Sequence, residues 1–470
     1  MAGLVAEMIS PQILAHLIAQ VPLGSVFVTG TNGKTTTTRM IAHIMRRYGW
    51  EPLHNRSGSN LTRGLLTTLL NNATSDGRLL SRPESVGLFE VDEAVLPLVL
   101  QQAPARVIAL LNLFRDQLDR YGEVDSIAEA WRQILRQMGR ETILVLNADD
   151  PLVASLGDGF AGKVLYFGLE DVGVGRPRLS HASDSKWCYR CGQEYAYSVS
   201  YFGHIGHYWC AHCGTSRPRP QVVAKSIRLD GFARTQYQLV MPSGERQVDL
   251  SLPGLYNVYN ALAAAAVAEA LDIPPATVAD SLAAFTAAFG RMERVGVEGR
   301  TVYLVLAKNP VGFNEVLSAL LADKMPKNVL LVLNDRIADG RDVSWIWDVD
   351  FELLAGEVRY VLTSGLRAAD MALRLKYAGV GAREDGDADD ENGTSERNRH
   401  GAEAFSVDAP AACQAPALQA IPDLGRALDT ALEHVRAGDT LYVLTTYTAM
   451  LEMRSLLAKR GYLRQHWEEE

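Results

Sequence analysis

Between residues 25 and 167 short apolar runs alternate with stretches of helical periodicity. Residues 26–28, 86–91, 106–111, 142–146 and 164–167 are predominantly apolar runs, which predicts strands buried on both faces. Between them Met40, Ile41, Ile44, Met45 and Tyr48 recur at helical spacing on one face, and residues 127–138 make a second such helix. This alternation predicts an α/β domain built on a largely parallel sheet.

Over residues 181–220 the character changes to Cys, Tyr, His and Gly with few aliphatics, as expected of a small inserted module that apolar burial alone cannot hold together. Sheet-like patterns resume over 222–229, 235–241 and 247–252, followed by an Ala-rich helix over 257–271 and another over 275–289. Gly290 and the charged residues after it predict a boundary. Strands over 302–306, 329–333, 360–362 and 441–444, with helices around Glu315, Ala369, Leu432 and Leu451, repeat the α/β rhythm and predict a second, Rossmann-like domain. Its interruption over 381–415 is rich in Asp, Glu, Gly, Ala and Ser and reads as a solvated loop. The expected organisation is a helical lead over 1–24, a central α/β domain over 25–290 carrying the 181–220 insert, and a C-terminal α/β domain over 291–470.

The chain has 470 residues, 47% of them hydrophobic and 21% charged, which suits two or three domains and excludes overall disorder. Lys and Arg number 46 against 55 Asp and Glu, a formal charge of −9, so no broad basic surface for nucleic acid is expected. The first 20 residues lack the basic start and apolar stretch of a secretion signal. Apolar runs such as 107–111 and 261–268 fall far short of the ~20 residues of a membrane-spanning helix. Of five cysteines, four lie between Cys188 and Cys213, the distribution of a metal site in a reducing, cytoplasmic setting.

Two motifs carry chemistry. After the strand at 26–28 comes Thr29-Gly30-Thr31-Asn32-Gly33-Lys34-Thr35-Thr36, opening a helix. Glycines let successive N–H groups face phosphate oxygens, the helix N-terminus adds its dipole, Lys34 brings charge and the Thr35 hydroxyl can ligate Mg²⁺. The usual phosphate-loop pattern places a glycine at position 28, where this chain has Val28, so the loop is a variant. The second motif is Cys188-x2-Cys191 and Cys210-x2-Cys213, spaced as a four-cysteine zinc ribbon. All four positions are filled by thiolates, so structural Zn²⁺ is expected. His204 and His207 read as surface or packing residues, and His212 as a substitute ligand if the second knuckle is irregular.

Gly30-Thr31-Asn32-Gly33-Lys34-Thr35-Thr36 resembles the nucleotide loop of the Mur ligase superfamily, which also contains folylpolyglutamate synthases. Further landmarks follow in the family's order: Glu90 after a strand, the segment Asn112-Leu113-Phe114-Arg115-Asp116-Gln117, then Asn147-Ala148-Asp149-Asp150-Pro151, Asn260 and Arg291. The resemblance implies ATP bound by Gly30, Thr31, Asn32, Gly33, Lys34, Thr35 and Thr36, Mg²⁺ on Thr35 and Glu90, Asn260 near the adenine and Arg291 reaching phosphate. Gln117 departs from the His of many relatives, which puts a second metal site in question.

The ribbon, together with Asn334-Asp335-Arg336-Ile337-Ala338-Asp339-Gly340-Arg341-Asp342, is similar to one subgroup, the synthetase subunits of lipid II isoglutaminyl synthase. That resemblance implies a Mur ligase central P-loop domain with the ribbon inserted and a Rossmann-like domain after it. It implies ATP-dependent amidation of the α-carboxylate of D-glutamate in lipid II, at the inner face of the plasma membrane. About 25 residues precede the first strand, too few for the UDP-gripping front domain of other Mur ligases. Ammonia must come from a partner, since outside the cluster the only cysteine is Cys413 in the acidic stretch; the resemblance implies a GatD-like glutaminase. It assigns Asp342 to complete the partner's triad, with Asp335, Asp339 and Asp348 as competitors, while the residues alone read Asp342 as a helix cap. Lys308-Asn309-Pro310-Val311-Gly312 falls where relatives contact nucleotide or acceptor. The alternatives are an amino-acid ligase like the folylpolyglutamate synthases, and a zinc-ribbon ATPase binding single strands through Lys186, Arg190, Arg217, Arg219 and Lys225.

Overall fold

The computed structural model describes residues 2–10, 12–55, 60–115, 123–177, 184–232, 234–286, 291–322, 325–381 and 418–463. Gln117, Gly290, Cys413 and nearly all of the acidic stretch lie outside the described residues.

The chain forms two compact units. The first comprises Met1–Glu293, Ala307–Asp323 and Gly340–Asp350, and the second Arg294–Leu306, Lys324–Asp339 and Phe351–Glu470. This differs from the division expected at Gly290. Residues 307–323 and 340–350 group with the first unit because local bonds tie them there. Asn309 Nδ2 donates to Asn32 Oδ1 at 3.0 Å, Phe313 packs on Trp345, and Asn314 brackets Asp350 through its amide and carbonyl.

In the first unit the strands are β1 (Ser25–Thr29), β2 (Glu51–His54), β3 (Ser85–Glu90), β4 (Val107–Leu110), β5 (Ile143–Asn147), β6 (Lys163–Leu169), β7 (Ala196–Phe202), β8 (Ile205–Trp209), β9 (Val222–Asp230), β10 (Arg234–Met241) and β11 (Gly244–Leu250). Nine of them form one sheet in the order β11-β10-β9-β6-β5-β4-β1-β3-β2. Pairing is parallel from β2 through β9 and antiparallel for β10 and β11. Successive residues of a strand point to opposite faces. Val26 and Val28 therefore enter one core with the helices Lys34–Tyr48 and Leu255–Ala270, while Phe27 enters the other with Leu65, Leu69 and Trp131. Burial on both sides is why these strands read as unbroken apolar runs. The many alanines in Leu255–Ala270 leave little side-chain bulk, so this buried helix can lie close to the sheet.

Strand β1 lies between β3 and β4, so the loop after it opens where the strand order reverses, the place at which doubly wound sheets bind ligands. The C-terminal ends of β3, β4 and β5 lie at that same end of the sheet, bringing Glu90 and Asn112 to the loop and Asp150 behind Asn112 at Leu113 N. Strands β7 and β8 form a separate antiparallel hairpin inserted between β6 and β9.

In the second unit β12 (Arg291–Val297), β13 (Arg300–Leu306), β14 (Lys327–Val332), β15 (Val358–Ser364), β16 (Gln419–Ala420) and β17 (Thr440–Thr445) order as β12-β13-β17-β14-β15-β16. From β13 to β16 the pairing is parallel, with the helices Ala368–Tyr377 and Leu424–His434 as connections and Tyr447–Lys459 following the last strand.

Glu315, on the helix Pro310–Leu320, is buried in the first unit, and burial pushes its carboxyl from 4.5 up to about 8, against a smaller opposing pull from Arg176. A folded-state pKa raised above the unfolded value means the folded protein keeps a proton that the unfolded chain releases. Stability from this group is therefore intact below pH 4.5 and falls as pH rises through 8. At pH 7 the cost is about 3 kcal/mol. Glu315→Gln is expected to melt at the same temperature as wild type near pH 4.5 and several degrees higher at pH 8, read by thermal unfolding across that range; equal midpoints at both pH values refute it.

Candidate functional site

The loop Gly30–Lys34 is held by its own backbone and by the segment after β4. Gly30 and Gly33 have φ of +141° and +85°, conformations that a side chain resists. A Cβ on Gly33 would also sit 2.0 Å from Asn260 Oδ1. Thr31 N donates to Asn112 O (3.0 Å). Asn32 N donates to Asn112 Oδ1 (2.8 Å), while Asn112 Nδ2 donates to Asn32 O (3.0 Å). The Thr31 hydroxyl is fixed between Phe114 N (2.9 Å) and Phe114 O (3.0 Å). The helix Lys34–Tyr48 begins without a side-chain cap, leaving the amides of its first turn directed at the loop's mouth, where phosphate oxygens bind best.

Opposing charge is arranged around it. Lys34 Nζ reaches Gly30 O (2.7 Å) and pairs with Glu93 Oε2 (3.0 Å). Burial raises the Glu93 carboxyl above its ordinary value and Lys34 partly offsets this. The Thr35 hydroxyl donates to Glu90 Oε1 (3.1 Å). Glu90 is itself fixed by Asn55, which accepts from Glu90 N (2.9 Å) and donates to Glu90 O (2.8 Å). A hydroxyl and a carboxylate, both hard oxygen donors beside a phosphate loop, suit Mg²⁺ carrying nucleotide. Asn260 Oδ1 accepts from the Thr37 hydroxyl (3.3 Å) and Asn260 Nδ2 donates to Asn257 (3.2 Å), which places Asn260 against the start of the loop's helix. Thr36 is buried in the same first turn. Arg291 begins β12, and its side chain lies outside the described residues. Asn309 N-caps Pro310–Leu320 by accepting from Gly312 N (2.8 Å) and meets the loop at Asn32.

Sequence pattern did not reach Glu93, Asn55, the bracketing role of Asn112 or the contact of Asn309, because each partner lies from 35 to 277 residues away. The only signal was polar residues at the ends of otherwise apolar strands.

In the inserted module Cys188, Cys191, Cys210 and Cys213 bring their sulfurs within 4.8 Å of one another. The two knuckles are built alike. Cys188 N donates to Gln193 O and Gly192 N to Cys188 O; Cys210 N donates to Thr215 O and Gly214 N to Cys210 O. Gly192 and Gly214 have φ of +73° and +75°. Four soft sulfurs in this arrangement fit tetrahedral Zn²⁺, which would supply the cross-link that so small a module lacks. His212 is exposed and outside the cluster, as the regular second knuckle makes a substitute ligand unnecessary. Arg217 is no free cation for a polyanion: it pairs with Asp149 and with Glu170.

Asp342 is exposed; its Oδ1 accepts from Ser344 N (2.8 Å) at the start of the 3-10 helix Ser344–Asp348. The Ser344 side chain and amide hold its carboxyl below the ordinary range. Of its competitors, Asp335 pairs with Arg367 (2.7 Å) and Asp339 accepts from Thr448 N (2.8 Å), while Asp348 is half-buried at the end of the 3-10 helix. Trp345 and Ile346 anchor that helix and Trp347 is 49% exposed. Among the described residues no helix is long and apolar enough to cross a membrane.

Comparison with known proteins agrees on one family. The family description "Mur ligase middle domain" matches residues 28–204, and "MurT ligase C-terminal" matches residues 306–450. The lipid II isoglutaminyl synthase (glutamine-hydrolyzing) subunit MurT of Staphylococcus aureus (strain COL) is 32% identical over 379 residues, 80% of this chain and 82% of that protein. Its namesake in Streptococcus pneumoniae (strain ATCC BAA-255 / R6) is 30% identical over 467 residues, 98% and 93% of the two chains. In fold, the chain is similar to a pseudomurein peptide ligase type C from Methanothermus fervidus (TM-score 0.66, 23% identity, 93% of this chain and 78% of that one). MurF from Acinetobacter baumannii is similar too (TM-score 0.64, 17% identity, 95% and 78%).

Proposed function

Because the chain belongs to the MurT family of Mur ligases, we propose that it is the ATP-dependent synthetase subunit of a two-subunit lipid II isoglutaminyl synthase. The observation that carries the reading is the Thr35–Glu90 pair beside Lys34 at the reversal point of the sheet. A carboxylate substrate would attack the γ-phosphorus of ATP, forming an acyl phosphate as ADP leaves. Ammonia would then attack the acyl carbon, phosphate would depart, and the nitrogen would release a proton to leave the amide. For the α-carboxylate of D-glutamate in the lipid II stem peptide, the product is D-isoglutamine.

This chain's contribution is positioning and charge. Loop amides and the uncapped helix end receive phosphate oxygens, Lys34 neutralises the charge that builds during transfer, and Thr35 with Glu90 would hold Mg²⁺. Mg²⁺ supplies Lewis-acid polarisation when bound. Among the described residues every cysteine belongs to the four-sulfur cluster, so the thiol that liberates ammonia from glutamine is assigned to a GatD-like partner. Asp342 then serves that partner from outside, with the exposed Trp347 close to it in sequence as contact surface. A lipid-linked substrate places the reaction at the inner membrane face.

Co-purification with the partner glutaminase and assay of glutamine-, ATP- and lipid II-dependent amidation tests the reading. With glutamine as the nitrogen source, formation of the amide is expected only with all components present. ATP turnover driven by a folate and glutamate with no glutaminase would overturn it in favour of an amino-acid ligase.

A further inference from the structure

The inserted module does not stand apart from the nucleotide loop. The tip of its hairpin, between β7 and β8, carries His204, which is 0% exposed. Its ring lies 4.5 Å from the ring of Phe114, and its Nε2 approaches Asp150 Oδ2 at 3.3 Å without the geometry of a hydrogen bond, so both ring nitrogens are buried with Asp150 as the nearby acid. The same Asp150 oxygen accepts from Leu113 N (2.9 Å). Leu113 and Phe114 continue directly from Asn112, and Phe114 clamps the Thr31 hydroxyl through both its N–H and its carbonyl.

A second route runs beside the first. Arg217, after the second knuckle, pairs with Asp149 and donates to Leu169 O (2.8 Å). Asp149 Oδ2 accepts from the Tyr259 hydroxyl (2.6 Å). Tyr259 precedes Asn260, which meets Gly33 and Thr37. Gly206 N, just past the hairpin tip, donates to Asp149 O (2.9 Å). Asp149 thus bonds both the ribbon and Tyr259, while Asp150 bonds Leu113 and lies against His204 of the ribbon; both acids are buried, where an ill-matched partner is costly.

We propose that the ribbon is a buttress of the phosphate loop, with His204 and Arg217 acting as positioning residues for nucleotide through Asp150 and Asp149. Small displacements of such supports alter affinity because the loop's amides must converge on one phosphate position. The inference rests on the ATP reading above.

The test uses the full chain in its complex. Nucleotide affinity is titrated with a fluorescent ATP analogue and Mg²⁺, and KM for ATP and kcat are measured separately. His204→Leu keeps the packing on Phe114 but cannot reach Asp150; it is expected to raise Kd and KM for ATP about tenfold with kcat within about twofold of wild type. His204→Gln, whose amide can meet Asp150, is expected to recover most of that loss. Unchanged affinity, or a fall in kcat at constant KM as from a smaller active fraction, overturns the proposal. Should His204→Leu not fold, Arg217→Lys, which keeps the charge but loses the forked contact, carries the same expectation and the same refutation. A wild-type chain that fails to bind the analogue refutes the nucleotide reading itself, and the buttress with it.

Discussion

Lys34→Ala is expected to lower ATP-dependent amidation by on the order of 10²–10³-fold, the range seen when one preorganised charge-stabilising group is removed. Nothing else described in the loop brings a full positive charge to its mouth. Lys34→Arg is not expected to rescue: the loop carbonyls of Gly30 and Thr31 and the Glu93 carboxylate surround a compact ammonium, and a planar fork does not match three convergent acceptors. A stability effect accompanies the chemical one. With Lys34 gone, the largely buried Glu93 loses its counter-charge, and breaking such a pair costs about 3–5 kcal/mol when burial is complete and less here. Adding Glu93→Gln removes that charge, so the double variant is expected to regain stability while remaining inactive. Comparing melting temperature and amidation rate across the two variants separates the roles. Activity that returns together with stability would show that Lys34 matters only as the partner of Glu93.

How much of this was legible in the sequence depends on how local the determining forces are. Strands β1, β3, β4, β5 and β6 were legible because burial on two faces leaves continuous apolar runs, and the Gly-Lys-Thr loop because glycine and lysine are needed at fixed positions. Strand β2 was not: Glu51-Pro52-Leu53-His54 lies half-buried at the sheet edge and shows no apolar period. The four-sulfur site followed from spacing, since a metal replaces the core that periodicity would otherwise reveal. His204 was legible only in part. Of the surface and packing roles that sequence offered, the fold selects packing, burying the ring on Phe114, but its approach to Asp150, far earlier in the chain, is one that no local pattern connects. The grouping of Pro310–Leu320 with the first unit likewise rests on Asn309 and Asn314, whose bonds reach Asn32 and Asp350 and leave no trace in the periodicity of the helix itself.

Asp342→Asn is expected to abolish glutamine-dependent amidation, by about 10³–10⁴-fold, while amidation driven by added ammonium salt at alkaline pH continues. The substitution is chosen because of what it preserves. Asparagine presents the same oxygen to Ser344 N, so the turn that starts Ser344–Asp348 survives, and only the charge is lost. If Asp342 were merely a cap, the change would be silent. If it orients a partner imidazole, the neutral amide favours the wrong tautomer and cannot stabilise the imidazolium that forms when the nucleophile is deprotonated. The pH dependence follows with a definite sign. Ser344 holds the Asp342 carboxyl below its ordinary range, so it is ionised throughout the neutral region and its loss on acidification comes only well below that. The rise of glutaminase activity between about pH 5 and 8 should therefore follow the partner's imidazole and not Asp342. Asp335 and Asp339 are already engaged by Arg367 and by the start of Tyr447–Lys459, and Asp335→Asn is expected to leave glutamine hydrolysis intact. Glutaminase activity undiminished in Asp342→Asn would assign this acid to the cap alone and move the search for the partner's orienting carboxylate elsewhere.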